Sequence, residues 1–180
     1  MKREEFEHAV RAVGGVLGTR EVLVIGSQAL HAAIAGELPR EAARSVEIDV
    51  AALSGDLERA ADLIDGTLGE GSMFHSTFGY YAHGVAPTTA VLPAGWQSRL
   101  VAFQTPATNG VVARCLEVHD LWISKAIAGR EKDIEFCNAL TRAEMVNLET
   151  LVARLGTVAG LDPRVREAVA SRISGSGSSQ

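Results

Sequence analysis

Apolar residues recur at helical spacing near the start of the chain. Phe6, Val10 and Val13 are three or four residues apart, which predicts a helix over residues 3–17. A short apolar run rich in β-branched residues, EVLVI, follows at residues 21–25. A run of this length and composition predicts a buried strand.

The next segments alternate between helix and strand. Ser27 is expected to cap a helix with the sequence QALHAAIA. A second strand is predicted over residues 45–53, SVEIDVAAL, and Asp56 is expected to cap a helix over residues 57–67. Further strands are predicted, in a region rich in glycine and turns, near 78–83, 88–92, 100–104 and 111–116.

The pattern after residue 118 is helical throughout. One segment runs from 119 to about 140, where Gly129 is a candidate break. A second is predicted to begin at Thr141, whose spacing to Glu144 fits a capping box, and a third at Asp162-Pro163. The chain is therefore expected to be α+β. We expect one domain over 1–173, with a sheet half (1–117), a helical half (118–173) and a disordered tail (174–180).

Composition narrows the class of protein. The chain has 180 residues, 47% of them hydrophobic and 22% charged, which is typical of a globular domain. The net charge is −5, so contact with nucleic acid would need a local basic patch. No apolar run is long enough to cross a bilayer, and Cys115 and Cys137 lack metal-type spacing. A cytoplasmic location is expected.

Gly26-Ser27 lies at the junction of a predicted strand and a predicted helix. A glycine there lets backbone N–H groups approach a ligand, and a serine hydroxyl can bind a phosphate oxygen. The simpler interpretation is a turn glycine followed by a capping serine.

Glu47 and Asp49 lie two apart in an otherwise apolar strand, so both carboxylates point to one face. Two like charges beside a core are costly, and a divalent cation such as Mg²⁺ would compensate them. The alternative is a solvent-facing edge strand with two ordinary acids.

Lysine is rare in this chain, and two of its three lysines, Lys125 and Lys132, lie in the segment SKAIAGREKD. On one continuous helix Lys125 and Lys132 would lie about 20° apart and Asp133 about 80° away, whereas Arg130 would point about 140° from Lys125. Either Gly129 breaks the helix or Arg130 has a structural partner. The alternative for the whole segment is a solvated face. His83 and His75 are candidate loop ligands or structural histidines.

The order of these features resembles the DNA-polymerase-β-like nucleotidyltransferase superfamily. SVEIDV followed by LWISKAIAGREKD is more narrowly similar to the AbiEii/MenT-type nucleotidyltransferase toxins, over about residues 20–140. The resemblance implies a small mixed-sheet nucleotidyltransferase core and NMP transfer from an NTP. It also implies Mg²⁺ as cofactor, a tRNA end as acceptor and a cognate antitoxin as partner.

The resemblance assigns roles to the matching positions. Gly26 and Ser27 would bind the triphosphate, and Glu47 and Asp49 would hold the metal, with Asp49 catalytic. Lys125 would neutralise phosphate charge, and Asp133 would be the remaining essential acid. Arg130 and Lys132 would line the triphosphate side or the acceptor side.

Two departures from the family pattern bear on activity. Glu47 stands where the family usually has aspartate, and the third carboxylate has only Glu117 and Asp120 as candidates. The alternatives are a transferase acting on a protein or a small molecule, and a nucleotide-binding or partner-binding module without catalysis.

Overall fold

A five-stranded mixed sheet forms the centre of the protein. The computed structural model describes residues 1–34, 36 and 38–175. The strand order is β3-β2-β1-β5-β4; β1–β5 and β2–β3 are parallel, and β1–β2 and β4–β5 are antiparallel. The strands are β1 Glu21–Val24, β2 Glu47–Ala51, β3 Tyr81–Gly84, β4 Val101–Phe103 and β5 Val112–Cys115. The expected α+β fold with a mixed sheet is confirmed.

Helices pack on the sheet and make up most of the second half of the chain. Within the described residues they are α1 Arg3–Leu17, α2 Arg40–Ala43, α3 Leu57–Leu68, α4 Met73–Phe78, α5 Val118–Ala128, α6 Glu131–Arg142, α7 Leu148–Gly156 and α8 Pro163–Gly175. α1 and α3 contact each other and the strands, while α5 contacts α6, α7 and α8. No helix in the described ranges is both long and apolar enough to span a bilayer.

Local sequence signals explain several of these elements. The predicted stripe Phe6, Val10 and Val13 is fully buried on α1. Asp56 caps α3, since its side chain accepts a hydrogen bond from the Arg59 N–H. Asp162 accepts from the Arg164 N–H at 2.7 Å, at the start of α8. These predicted helix starts are confirmed.

The glycine-rich middle of the chain differs from the prediction. The strand expected near 78–83 is β3, but 88–92 forms no strand, and Pro87–Thr89 is a single 3₁₀ turn there. The short helix α4, which precedes β3, was not predicted. Ser72 caps it by accepting from the His75 N–H, and the Phe74 and Phe78 rings pack against each other.

Of two predictions for the C-terminal half, the helix break at Gly129 is confirmed and the helix start at Thr141 is wrong. Gly129 adopts φ +65° and ends α5, and its N–H donates to the Lys125 carbonyl. The helix expected to begin at Thr141 does not, because α6 runs through this residue and the Thr141 hydroxyl donates to the Cys137 carbonyl. α7 begins later, where Asn147 caps it.

The hydrophobic core is shared by the two halves of the chain. One cluster of buried side chains includes Phe6 and Ile48 from the sheet half and Trp122 and Ile173 from the helical half. Of the tail expected at 174–180, residues 174 and 175 belong to α8, and 176–180 lie outside the described residues.

Candidate active site

Cross-strand pairing places four polar side chains on one face of the sheet. β2 and β3 pair in parallel with Glu47 opposite Tyr81 and Asp49 opposite His83. The intervening Ile48 is fully buried, because successive strand residues point to opposite faces. β2 lies between β1 and β3, so it is not the solvent-facing edge strand of the alternative interpretation.

Glu47, Asp49 and His83 converge at this face. Each offers one ligand atom, and these atoms lie within 4.8 Å of one another. The His83 Nδ1 lies 3.1 Å from the Asp49 Oδ1, and the Tyr81 hydroxyl donates to the Glu47 Oε2 at 3.0 Å. Burial, followed by the hydrogen bond to Glu47, raises the pKa of Tyr81 to about 12, so Tyr81 remains a donor at neutral pH.

Gly26, which follows the neighbouring strand β1, lies close to the Asp49 side chain. The Ile25 N–H donates to the Asp49 carbonyl at 3.1 Å, which holds the two strands in register at this point. A Cβ atom on Gly26 would overlap the Asp49 carboxylate, lying 2.8 Å from its Cγ. The absence of a side chain at position 26 therefore makes room for Asp49.

The helix after β1 begins one residue earlier than predicted. Gly26 is the N-cap, and Ser27 is the first residue of a 3₁₀ helix, Ser27–Ala32, rather than the cap of an α-helix. The Ser27 hydroxyl accepts a long hydrogen bond of 3.4 Å from Gln28 Nε2. Ser27 lines the same cavity as Glu47 and Asp49.

The break at Gly129 joins Lys125, Arg130 and Asp133 in one cluster. Arg130 caps α6, and its Nε donates to the Asp133 Oδ2 at 2.6 Å. The Lys125 Nζ lies 3.3 Å from the Asp133 Oδ1. The sequence left two alternatives, a helix break at Gly129 or a structural partner for Arg130, and the structure shows both.

Asp133 is nearly inaccessible, with its side chain 2% exposed. Burial alone would raise its pKa, but the hydrogen bond from Arg130 and the charges of Lys125 and Arg130 hold that pKa below its usual range. The hydrogen bond to Asp133 raises the pKa of Arg130 in turn. Asp133 is thus an ionised carboxylate that orients two cations.

Two cavities meet at Asp49 and Lys125, which line both. We call them cavity A, of about 390 Å³, and cavity B, of about 370 Å³. The predicted site residues divide between them. Cavity A is also lined by Ser27, Arg44, Glu47, Lys132 and Asp133, and cavity B by Gly26, His83, Ser124 and Arg130.

The two candidates for a third carboxylate have structural contacts instead. Glu117 caps α5, accepting from the His119 N–H at 3.1 Å, and Asp120 is fully buried and bound to Arg99 Nε at 2.8 Å. The third group beside the acid pair is His83. The sequence places His83 and Tyr81 on the same face of a predicted strand, because they are two residues apart. The sequence does not show which strand this one pairs with, and so it does not place His83 beside Asp49.

One comparison with known proteins identifies a family for the chain. The family described as "Nucleotidyltransferase of unknown function (DUF6036)" matches residues 5–166, which include every residue of both cavities named above. No curated protein and no solved structure matches the chain.

Proposed function

The chain belongs to this nucleotidyltransferase family, and we propose that it transfers a nucleoside monophosphate from an NTP to an acceptor hydroxyl. The observation that carries the proposal is the position of Asp49. It lies where cavities A and B meet, beside Glu47, the glycine of the Gly26-Ser27 turn and Lys125.

The acid pair suits a divalent cation, for which Mg²⁺ is the expectation from sequence. Glu47 and Asp49 offer hard carboxylate oxygens on one face, and the Tyr81 hydroxyl orients the Glu47 carboxylate. When bound, the cation would neutralise negative charge on the phosphates. One oxygen of the longer Glu47 side chain accepts from Tyr81, and Glu47 offers a ligand atom within 4.8 Å of those of Asp49 and His83.

Cavity A is the proposed triphosphate side. It combines the Ser27 hydroxyl with the cations Lys125, Lys132 and Arg44. Besides the acid pair, the cavity is lined by three carboxylates that are each paired with a basic side chain, namely Glu41, Asp133 and Glu135. Arg44 is paired with Glu135 at 3.3 Å, but both side chains are more than half exposed, so a phosphate can compete for this arginine.

Cavity B is the proposed acceptor side. In-line transfer needs the attacking and leaving oxygens on opposite sides of the α-phosphorus. We assign the acceptor to cavity B because this cavity shares Asp49 and Lys125 with cavity A. The acceptor oxygen bonds to the α-phosphorus, the bond to the bridging oxygen breaks, and pyrophosphate leaves. The acceptor proton passes to Asp49, while Arg130 faces the acceptor.

Asp133 acts in this proposal as a positioning residue. Both of its oxygens are within hydrogen-bond or ion-pair distance of Arg130 or Lys125. It remains essential, as the resemblance implies, because it aims Lys125 at the boundary of the two cavities and Arg130 into cavity B.

The acceptor and the biological setting rest on the resemblance to the AbiEii/MenT group. On that basis we propose a tRNA end as acceptor, a toxin role and a cognate antitoxin. One observation favours a protein or small-molecule acceptor as the second candidate. Three arginines of the helical half make contacts within the protein, which reduces the positive charge that they offer to an RNA backbone. Arg154 contacts Asp120, and Arg166 and Arg172 donate to backbone carbonyls.

A labelling experiment tests the proposed reaction. The protein is incubated with divalent cation, total tRNA or candidate proteins, and NTPs labelled at either the α- or the γ-phosphate. We expect acceptor labelling from the α-label alone, and none with Asp49→Asn. Labelling from the γ-phosphate would show phosphoryl transfer instead and would refute the proposal.

A further inference from the structure

His83 is the member of the acid cluster that the proposed reaction does not use. Its position follows from strand pairing, because β3 places it directly opposite Asp49 in parallel register. Its Nδ1 lies 3.1 Å from the Asp49 Oδ1, and its side chain is 49% exposed. An imidazole nitrogen therefore lies beside the acid pair, whereas the two candidates for a third carboxylate, Glu117 and Asp120, have structural contacts instead.

We infer that Glu47, Asp49 and His83 form a three-ligand site that prefers a first-row transition-metal ion, such as Mn²⁺, to Mg²⁺. The inference deepens the proposed function, on which it rests for the role of the ion. It departs from the sequence expectation, in which two carboxylates alone hold Mg²⁺.

The geometry fits one octahedral ion. Metal–oxygen and metal–nitrogen bonds of about 2.0–2.2 Å put neighbouring ligands about 3 Å apart and opposite ligands about 4.2 Å apart. The Asp49–His83 separation of 3.1 Å already equals the spacing of neighbouring ligands. All three ligand atoms lie within 4.8 Å of one another, so small side-chain movements would bring them to these spacings.

The ligand types set the preference. Mg²⁺ takes oxygen ligands and gives up water reluctantly, whereas imidazole suits transition-metal ions. Mn²⁺ accepts both carboxylate and imidazole and also binds phosphate oxygens. One imidazole and two carboxylates therefore favour Mn²⁺ over Mg²⁺ and leave positions for the substrate.

The surroundings support an ion at this point. The Tyr81 hydroxyl donates to one oxygen of Glu47, which orients the carboxylate in the way that outer-shell partners of metal ligands do. A third cavity of about 320 Å³ opens onto the cluster and is lined by Glu47, Tyr81, His83, Asp65 and Glu70. Its two additional carboxylates attract cations along this approach.

Metal binding is measured on the full chain without nucleotide. Mn²⁺ and Mg²⁺ affinities are determined by calorimetry, and bound Mn²⁺ is examined by electron spin echo envelope modulation for directly coordinated ¹⁴N. We expect wild type to bind Mn²⁺ at least tenfold more tightly than Mg²⁺ and to show the ¹⁴N signal.

The variants isolate the imidazole. His83→Ala should lose the ¹⁴N signal and on the order of tenfold or more in Mn²⁺ affinity, with Mg²⁺ affinity nearly unchanged. His83→Asp should shift the preference toward Mg²⁺. His119→Ala is the matched control, because the His119 Nε2 accepts from the Asn147 N–H and this residue lies outside the cluster and the three cavities; it should bind Mn²⁺ like wild type.

Two results would overturn the inference. One is a wild-type Mn²⁺ complex without the ¹⁴N signal, and the other is a His83→Ala variant with wild-type Mn²⁺ affinity; either means that the Asp49–His83 contact is only a hydrogen bond. If α-label transfer persists in that case, the proposed function stands without this inference. If the ¹⁴N signal is present but transfer is absent, the metal site stands and the proposed function fails.

Discussion

Gly26 and Asp49 are packed so closely that no side chain can be added at position 26 without moving the carboxylate. A Cβ on Gly26 would lie 2.8 Å from the Asp49 Cγ and 2.9 Å from its Cβ. The backbone of Gly26, with φ −91° and ψ −170°, is open to any residue. The glycine is therefore required by the neighbouring side chain and not by its own conformation.

Gly26→Ala should displace Asp49 and abolish or strongly reduce metal binding and transfer. Overpacking of this kind costs about 1–3 kcal/mol of stability, so a folded variant is expected. Calorimetry with Mn²⁺ and α-label transfer are the readouts. Gly15→Ala is the control, because a Cβ there meets nothing within 4 Å and helix propensity favours alanine. Wild-type metal affinity in Gly26→Ala would contradict the close-packing argument.

Asp49→Asn should abolish transfer while the melting temperature stays unchanged or rises. Removing one of two neighbouring carboxylates relieves their repulsion in the metal-free protein, so lost activity would reflect lost metal. Melting curves without divalent cation and α-label transfer measure the two effects. An unfolded variant, or one with full activity, would be inconsistent with this role of Asp49.

Lys125→Ala should weaken NTP binding about tenfold to over a hundredfold. The expected loss is that of a charged hydrogen bond to phosphate, on the order of 1.5–3 kcal/mol. The measurement is calorimetric titration with a non-hydrolysable NTP analogue and divalent cation. Unchanged NTP affinity would mean that the Lys125–Asp133 segment has only a structural role.

Arg130→Ala should slow transfer more than it weakens NTP binding. The Arg130 side chain lines cavity B, and its loss also removes a hydrogen bond to the buried Asp133 carboxylate, so the melting temperature should fall as well. Asp133→Asn should impair both NTP binding and transfer, since it releases Lys125 and Arg130 together. Reduced NTP affinity with normal transfer in Arg130→Ala would place the triphosphate in cavity B instead.

Stability should depend on pH through His31, away from the active site. Burial, followed by the charge of Arg3, lowers the pKa of His31 from 6.5 to about 4. The unfolded chain therefore binds the proton more readily, and the stabilisation present above pH 6.5 is lost as pH falls from 6.5 to about 4. The loss is roughly 3 kcal/mol at most.

His31→Phe should flatten that part of the pH profile. Phenylalanine can keep the stacking on Phe6, whose ring centroid lies 4.7 Å from that of His31, and it does not titrate. Urea unfolding between pH 7 and pH 4 in wild type and variant gives the two slopes. Equal slopes would show that His31 does not cause the acid sensitivity.

Local signals predicted much of the fold and part of the candidate site. Alternation in SVEIDV placed Glu47 and Asp49 on one face, and the strand–Gly-Ser order placed Gly26 just after the preceding strand. Both signals depend on residues close in sequence. The same holds for Asp56 and Asp162, whose short side chains cap the helices that follow them.

The rest depended on contacts distant in sequence. His83 reaches Asp49 through a strand pairing across 34 residues, which no local pattern specifies. The helix expected at Thr141 failed because its hydroxyl bonds within α6 and also accepts from the Trp122 indole N–H. The orientation of Arg130 required the left-handed conformation of Gly129, which sequence could offer only as one of two outcomes.

Metal-dependent NTP binding is the sharpest test of the proposed site, because it needs no knowledge of the acceptor. A non-hydrolysable NTP analogue is titrated into wild type and Asp49→Asn, with and without divalent cation. We expect the analogue to bind wild type only in the presence of the cation and not to bind Asp49→Asn. NTP binding that is absent from wild type, or equally tight in Asp49→Asn, would contradict it.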